Sequence, residues 1–157
     1  MITIIKAEEH HIPEICKLWL EFIEYSAEID PIFNVREGAE TDFEKKFLRT
    51  HMNEKNSLVL VARDGEKMVA YSVSQIQGDL KVIKREIKTA SIVHLFITKN
   101  YRRYGIGEKM YAKILKWFRA EGINRVELQV MAKNEAAGSF WRKHGYMDFQ
   151  NTLYKQI

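Results

Sequence analysis

One cysteine among 157 residues, Cys16, cannot close an internal disulfide, and no Cys and His spacing suits a zinc site. Neither disulfide staples nor a bound metal is expected. Long apolar runs are missing too: stretches such as Leu58 to Ala62 are far too short to span a bilayer. Met1 leads directly into a strand-like segment instead of a signal sequence, so a cytoplasmic protein without membrane association is expected. Charge of one sign is scarce, the net being only +4, and lysines and arginines alternate with acids over most of the chain. That pattern argues against nucleic acid as a partner. Internal repeats, low-complexity tracts and a separate linker are absent.

What is present is ordinary for a folded protein. With 46% hydrophobic, 11% aromatic and 29% charged residues, the chain has enough apolar material for one core. A single domain over residues 1–157 is expected.

Hydrophobic spacing divides the chain into elements. Ile2 to Ile5 are β-branched and precede a charged turn, which predicts a first strand. Ile12, Ile15, Trp19, Phe22 and Ile23 recur at helical spacing, predicting a helix to about Tyr25 with Pro13 in its first turn. Trp19 is then a core residue and Cys16 a buried, inert one, while His10 and His11, near the helix start, are expected at the surface. Ser26 to Gly38 reads as a loop. It follows Glu24 and Tyr25 and contains Glu28 and Asp30, acids suited to facing a cationic amine. Ala39 to His51 resumes helical spacing through Phe43 and Phe47.

Leu58 to Val61 and Met68 to Ile76 flank Asp64-Gly65, a hairpin signal. A charged connection from Asp79 to Lys88 leads into a strand from Ala90 to Ile97. Gly105 to Ala120 is amphipathic, with Ile106, Met110, Ile114 and Phe118 on one stripe, and Gly122 ends it. Arg125 to Met131 alternates strictly, as a half-buried strand does. Asn134 opens a last helix to about Lys143, Gly145 stops it, and Tyr146 to Tyr154 has the length for one or two closing strands. The order predicts an α/β (α+β) layer with a mixed sheet.

The segment Asn100-Tyr101-Arg102-Arg103-Tyr104-Gly105-Ile106-Gly107 joins a strand to a helix. Glycines at 105 and 107 remove Cβ atoms, so backbone N–H groups can approach a ligand. The unpaired amides and dipole of the helix start favour an anion there. Lys99, Arg102 and Arg103 supply the one local excess of positive charge. Gly105 and Gly107 are not followed by the third glycine of a dinucleotide fingerprint, and no GxxxxGK[ST] run occurs, so NAD and ATP loops are not indicated.

Arg102-Arg103-Tyr104-Gly105-Ile106-Gly107 resembles motif A of the GNAT superfamily of N-acetyltransferases, Arg/Gln-x-x-Gly-x-Gly/Ala after the central strand. Asn134-Glu135-Ala136-Ala137, then Phe140-Trp141 and Gly145-Tyr146, resembles its motif B. The likeness is strong over Ile92 to Phe149. It implies a mostly antiparallel central sheet flanked by helices, with the strand Ser91 to Ile97 splayed from Arg125 to Met131. It further implies acetyl-CoA as cosubstrate, its pantetheine arm pairing with backbone near Phe96 and Ile97. By the same resemblance Arg102, Arg103, Tyr104, Gly105, Ile106 and Gly107 would hold the pyrophosphate, Asn134 would hydrogen-bond the arm, and Phe140 would pack beside it. A homodimer is a further expectation from the likeness.

Two positions depart from the family pattern. Trp141 stands where many members have a tyrosine acid, and Gln129 where many have a glutamate base. A CoA thiolate is a tolerable leaving group, given an ordinary thiol pKa of about 8.5. Deprotonating the amine is the harder demand. His94, two residues before Phe96, is the candidate base or water-positioning group, with Glu127 as the alternative. The resemblance implies transfer of an acetyl group to a primary amine of a small molecule or protein, by direct attack in a ternary complex. The competing reading is a non-catalytic acetyl-CoA-binding module, suggested by the two substituted positions.

Overall fold

The computed structural model describes residues 1–78 and 87–157. Of the charged connection expected over Asp79 to Lys88, residues 79–86 lie outside them. Five strands among the described residues form one sheet in the order β1 (Ile2–Lys6), β2 (Ser57–Asp64), β3 (Lys67–Ile76), β4 (Thr89–Ile97) and β5 (Arg125–Glu127). β1 to β4 pair antiparallel and β5 joins β4 in parallel, so the sheet is mixed and mostly antiparallel, as expected. The β2–β3 hairpin turns at Gly65, whose φ of +60° is the left-handed conformation the Asp-Gly signal anticipates.

Helices cover both faces. On one lies α1 (Ile12–Ile29), followed by α2 (Ala39–Asp42), a π-helical stretch Phe43–Leu48 and α3 (Arg49–Asn53) without a break. Ile15, Trp19, Phe43 and Leu48 bury there against Val59, Val61, Tyr71 and Phe96. On the other face lie α4 (Ile106–Ala120) and α5 (Glu135–Lys143), where Met110, Ile114, Phe118 and Trp141 pack on Leu60, Val69, Ala90 and Ile92. None of these helices is long and apolar enough to cross a membrane.

Several expectations need correction. α1 continues to Ile29 beyond Tyr25: Ser26 bends its hydroxyl back to Phe22 O at 2.9 Å, and the Asp30 N–H closes the last turn on Ser26 O. His11 is buried at 1% exposure, because its Nδ1 accepts from the Glu8 N–H at 2.9 Å and caps a short 3₁₀ turn. His10 alone lies at the surface. Over Arg125 to Met131 only the first three residues pair with the sheet. Tyr146 to Tyr154 forms no strand; Met147, Phe149, Leu153 and Tyr154 are exposed. Alternating sequence supplies a strand's face but not its partner. Trp19 and Cys16 are buried as expected, Trp19 stacked on Phe43 at 4.4 Å between ring centroids.

Candidate cofactor site and its surroundings

β4 is paired on one side along its length but on the other only at its start. Thr89, Ala90 and Ser91 face Arg125, Val126 and Glu127, and pairing with β5 stops there. Ile92 to Ile97 therefore have no partner on β5, the splay implied by the family likeness. Unpaired strand edge of this kind accepts an extended ligand as an added strand. The carbonyl of Ile97 already takes the Arg102 Nε–H at 2.9 Å, and a carbonyl has a second lone pair to offer.

The unpaired end of β4 leads into the loop before α4. Thr98 and Lys99 begin a 3₁₀ turn, Arg103 adopts φ +68° and Gly105 φ +77°, and α4 starts at Ile106. The first α4 amide with a helical acceptor is Lys109, bonded to Gly105 O at 3.1 Å. The N–H groups of Ile106, Gly107 and Glu108 have no acceptor behind them in the helix. Together with the two left-handed residues this is a concave set of donors suited to a phosphate. A Cβ on Gly107 would lie 3.1 Å from Ile97 Cδ1 and 3.4 Å from Phe140 Cε2, so the missing side chain lets α4 start against both β4 and α5.

The loop side chains divide by role. Ile106 is 2% exposed and anchors α4 in the core, whereas Tyr104 is 75% exposed. Arg102 turns back: its guanidinium lies 4.8 Å from the Tyr25 ring centroid and 5.3 Å from that of Phe96. Arg103 and Lys99 remain as the outward charges of the loop. Glu108, a carboxylate in the first turn of α4, is paired with Lys143 of α5 at 2.9 Å. The Lys143 hydrogen bond holds its carboxyl below the usual range, and the pairing offsets a charge that would oppose an anion.

Asn134 precedes α5 as its cap. Its Oδ1 accepts from the Ala137 N–H at 3.1 Å, leaving the amide NH₂ as the end free to donate. Phe140 packs edge-on to Trp141 at 4.9 Å and touches the Gly107 region. Trp141 is buried among Tyr111, Phe140 and Tyr146, so the family's tyrosine position is here part of the core. Gln129 is exposed.

His94 faces α1 and the π-helical stretch because of an irregularity in β4. Val73 pairs with His94 but Ser74 pairs with Ile92, so Val93 is an extra residue. The bulge sends Ile92 to the α4 face and His94 to the opposite one, alongside Phe96. There the imidazole meets Phe47 at 4.9 Å, Phe22 at 5.3 Å and Tyr71 at 5.9 Å between centroids. Its Nδ1 is 3.1 Å from the Tyr71 hydroxyl. Burial, with a smaller contribution from His51, pushes the imidazole pKa down to about 4. Burial also pushes the Tyr71 phenol well above its ordinary value, so that hydroxyl keeps its proton. Tyr71 is a site neighbour the sequence did not reveal, since it reads as one more apolar strand position. Glu127, the alternative, is tied to Arg125 Nε at 2.8 Å.

A cavity of about 300 Å³ opens between α1 and the segment after it, lined by Trp19, Ile23, Phe33, Val35, Arg36 and Ala39 among others. Glu24, Glu28 and Asp30 do not line it. Asp30 instead accepts the Ile32 N–H at 3.0 Å. The acids of this region are thus not gathered around that cavity.

Among solved structures the fold is similar to a tetramutant of the BH1408 protein from Bacillus halodurans, with TM-score 0.85 and 26% identity over 99% of each chain. It is also similar to the aminoglycoside acetyltransferase meta-AAC0020 from an uncultured soil metagenomic sample, in complex with trehalose. There the TM-score is 0.72 and the identity 21%, over 99% of this chain and 96% of that one. A third likeness is the aminoglycoside N-acetyltransferase AAC(6')-Iy in complex with CoA, with TM-score 0.74 and 10% identity, over 100% and 95%. Curated proteins yield no match. The family described as "Acetyltransferase (GNAT) family" matches residues 17–146, which include the splayed strand, the amide-lined loop and the Asn134 cap, and this chain belongs to it.

Proposed function

We propose that the protein is an acetyl-CoA-dependent N-acetyltransferase that modifies a primary amine of a small molecule or protein by direct attack within a ternary complex. The observation that carries this reading is the continuity of two binding surfaces: the unpaired β4 edge of Ile92 to Ile97 runs into the amide-lined loop at Arg103 to Glu108. An extended arm ending in a diphosphate needs such a pair of surfaces. The cosubstrate would bring an acetyl group already activated as a thioester. Backbone amides of Gly105, Ile106 and Gly107, with Arg103 and Lys99, would hold its phosphates. The Asn134 NH₂ would donate to the arm, and Phe140 would close one side of it.

The residues present would act mainly by holding the two reactants together, which removes much of the entropic barrier. Of the two roles considered for His94, its surroundings support water positioning. An imidazole with a pKa of about 4 is a weak base toward an ammonium ion, yet it remains a sound hydrogen-bond partner. Where the Tyr71 phenol donates to Nδ1, the ring hydrogen sits on Nε2 and can orient a water or the acceptor.

Isothermal calorimetry with acetyl-CoA, on the unmodified protein and on Gly105→Asp, tests the reading. Micromolar binding that the variant loses supports it; no binding by the unmodified protein removes its main support. The second reading, an acetyl-CoA-binding module without catalysis, draws on Trp141 being core and Gln129 being exposed. Tight acetyl-CoA binding without acyl transfer in a broad amine screen would favour it.

A further inference from the structure

On the cofactor reading above, α1 carries two side chains that engage both cofactor-binding segments. Glu21 reaches the end of β4: its Oε2 and Oε1 accept from the Thr98 hydroxyl at 2.8 and 2.9 Å, and Oε1 also accepts the Lys99 N–H at 3.1 Å. Thr98 precedes the 3₁₀ turn Lys99–Tyr101 and provides no side-chain cap of its own, so Glu21 caps that turn from another helix. The turn is the first part of the anion loop, and its geometry passes directly to Arg102 and Arg103. A carboxylate this close to a diphosphate site opposes the ligand's charge. Its hold on the one Thr98 hydroxyl proton, shared between its two oxygens, and on the Lys99 N–H explains what it does there.

Tyr25 lies four residues further along α1, on the same face. Its ring packs under the Arg102 guanidinium at 4.8 Å, and its hydroxyl is 3.4 Å from Asn134 Oδ1. The phenol and the Ala137 N–H both address that oxygen, which leaves the Asn134 NH₂ as the end able to donate to a ligand. The Arg102 Nε–H meanwhile meets Ile97 O, so Tyr25 supports a side chain that touches the β4 edge. Phe22, between the two, packs on Phe96 at 5.3 Å between centroids, holding α1 against that end of β4.

We propose that Glu21 and Tyr25 are positioning residues for the cosubstrate: Glu21 shapes the anion loop through Thr98 and Lys99, and Tyr25 orients Asn134 and Arg102 for the pantetheine arm. The two act on different parts of one ligand, which makes them separable. Glu21 affects any ligand that uses the loop. The Tyr25 hydroxyl, which reaches Asn134, affects only one that carries the arm; its ring under Arg102 is kept in phenylalanine.

Calorimetry of Glu21→Ala, Glu21→Gln and Tyr25→Phe, with acetyl-CoA and with adenosine 3′-phosphate 5′-diphosphate, tests this. Glu21→Ala is expected to weaken both ligands about tenfold, a loss of about 1.4 kcal/mol. Glu21→Gln, whose amide oxygen still accepts, should stay within about threefold of the unmodified protein. Tyr25→Phe should weaken acetyl-CoA about three- to tenfold and leave the arm-less nucleotide within about twofold. Thermal midpoints recorded in parallel should lie within about 3 °C of one another. Unchanged binding in Glu21→Ala and Tyr25→Phe overturns the proposal, as do losses that follow the thermal midpoint or fall equally on both ligands in Tyr25→Phe. If the unmodified protein binds no acetyl-CoA, the acetyltransferase reading fails and this proposal with it. Binding by the unmodified protein with no difference among variants overturns the positioning roles alone.

Discussion

The Tyr71 hydroxyl lies 3.1 Å from His94 Nδ1, on neighbouring strands and within a box of aromatic rings. The phenol is fully buried and stays protonated, and the imidazole, desolvated by the same rings, stays neutral down to about pH 4. The unfolded chain binds a proton at this position below about pH 6.5, whereas the folded chain does not until about pH 4. The stability it contributes is therefore present above pH 6.5 and is lost as the pH falls toward 4. Burial lowers the His11 pKa as well, which acts in the same direction. We expect the urea midpoint to drop between pH 7 and pH 5, and to drop less in His94→Gln. Equal losses in the two proteins would show that His94 is not the group responsible.

The same neutrality makes a kinetic prediction. On the proposed mechanism, His94→Gln is expected to lower kcat about tenfold or more while leaving the acidic limb of the pH–rate profile in place, because that limb would then report an acceptor amine. A limb that disappears with the imidazole would restore the general-base assignment.

Arg103 and Gly105 should respond in opposite ways. Arg103 holds φ +68° against the preference of a residue with a side chain, so Arg103→Gly should keep or raise stability by up to about 1 kcal/mol while weakening acetyl-CoA. Gly105→Ala, at φ +77°, should cost about 1 kcal/mol although its added methyl meets no neighbour within 4 Å. Thermal melts and calorimetry on the two variants separate backbone strain from lost charge.

Cosubstrate binding should appear in hydrogen exchange. Backbone amides within Ile92 to Ile97 that point away from β3 have no β5 partner, and acetyl-CoA should slow their exchange along with those of the loop before α4. Protection confined to the loop would place the arm elsewhere.

Cys16 should be silent to thiol reagents. It is 3% exposed, and burial first, then the carboxylates of Glu44 and Glu40, pushes its thiol up to about 11. A chromogenic disulfide reagent should titrate it only after the protein is denatured.

The backbone of the loop before α4 was legible residue by residue, because glycine spacing and a strand-to-helix junction act locally. The same holds for the hairpin at Gly65, for the Asn134 cap and for the apolar stripes of α1 and α4, whose periods follow from helix and strand geometry. These features need only neighbours along the chain.

Tertiary structure decided what depends on distant partners. β4 gains one residue at Val93 relative to β3, and that bulge alone separates Ile92 from His94 and sets the imidazole among rings from two helices. The alternating run Arg125 to Met131 pairs over only three residues, and Tyr146 to Tyr154 over none, since alternation determines a face without selecting an edge to bind. Arg102 reads in sequence as a free positive charge but folds back on Ile97 O and Tyr25, and the Glu21 contact spans 77 residues to Thr98. Local pattern determines which groups are available; only the packing of α1 across the end of β4 determines which of them meet.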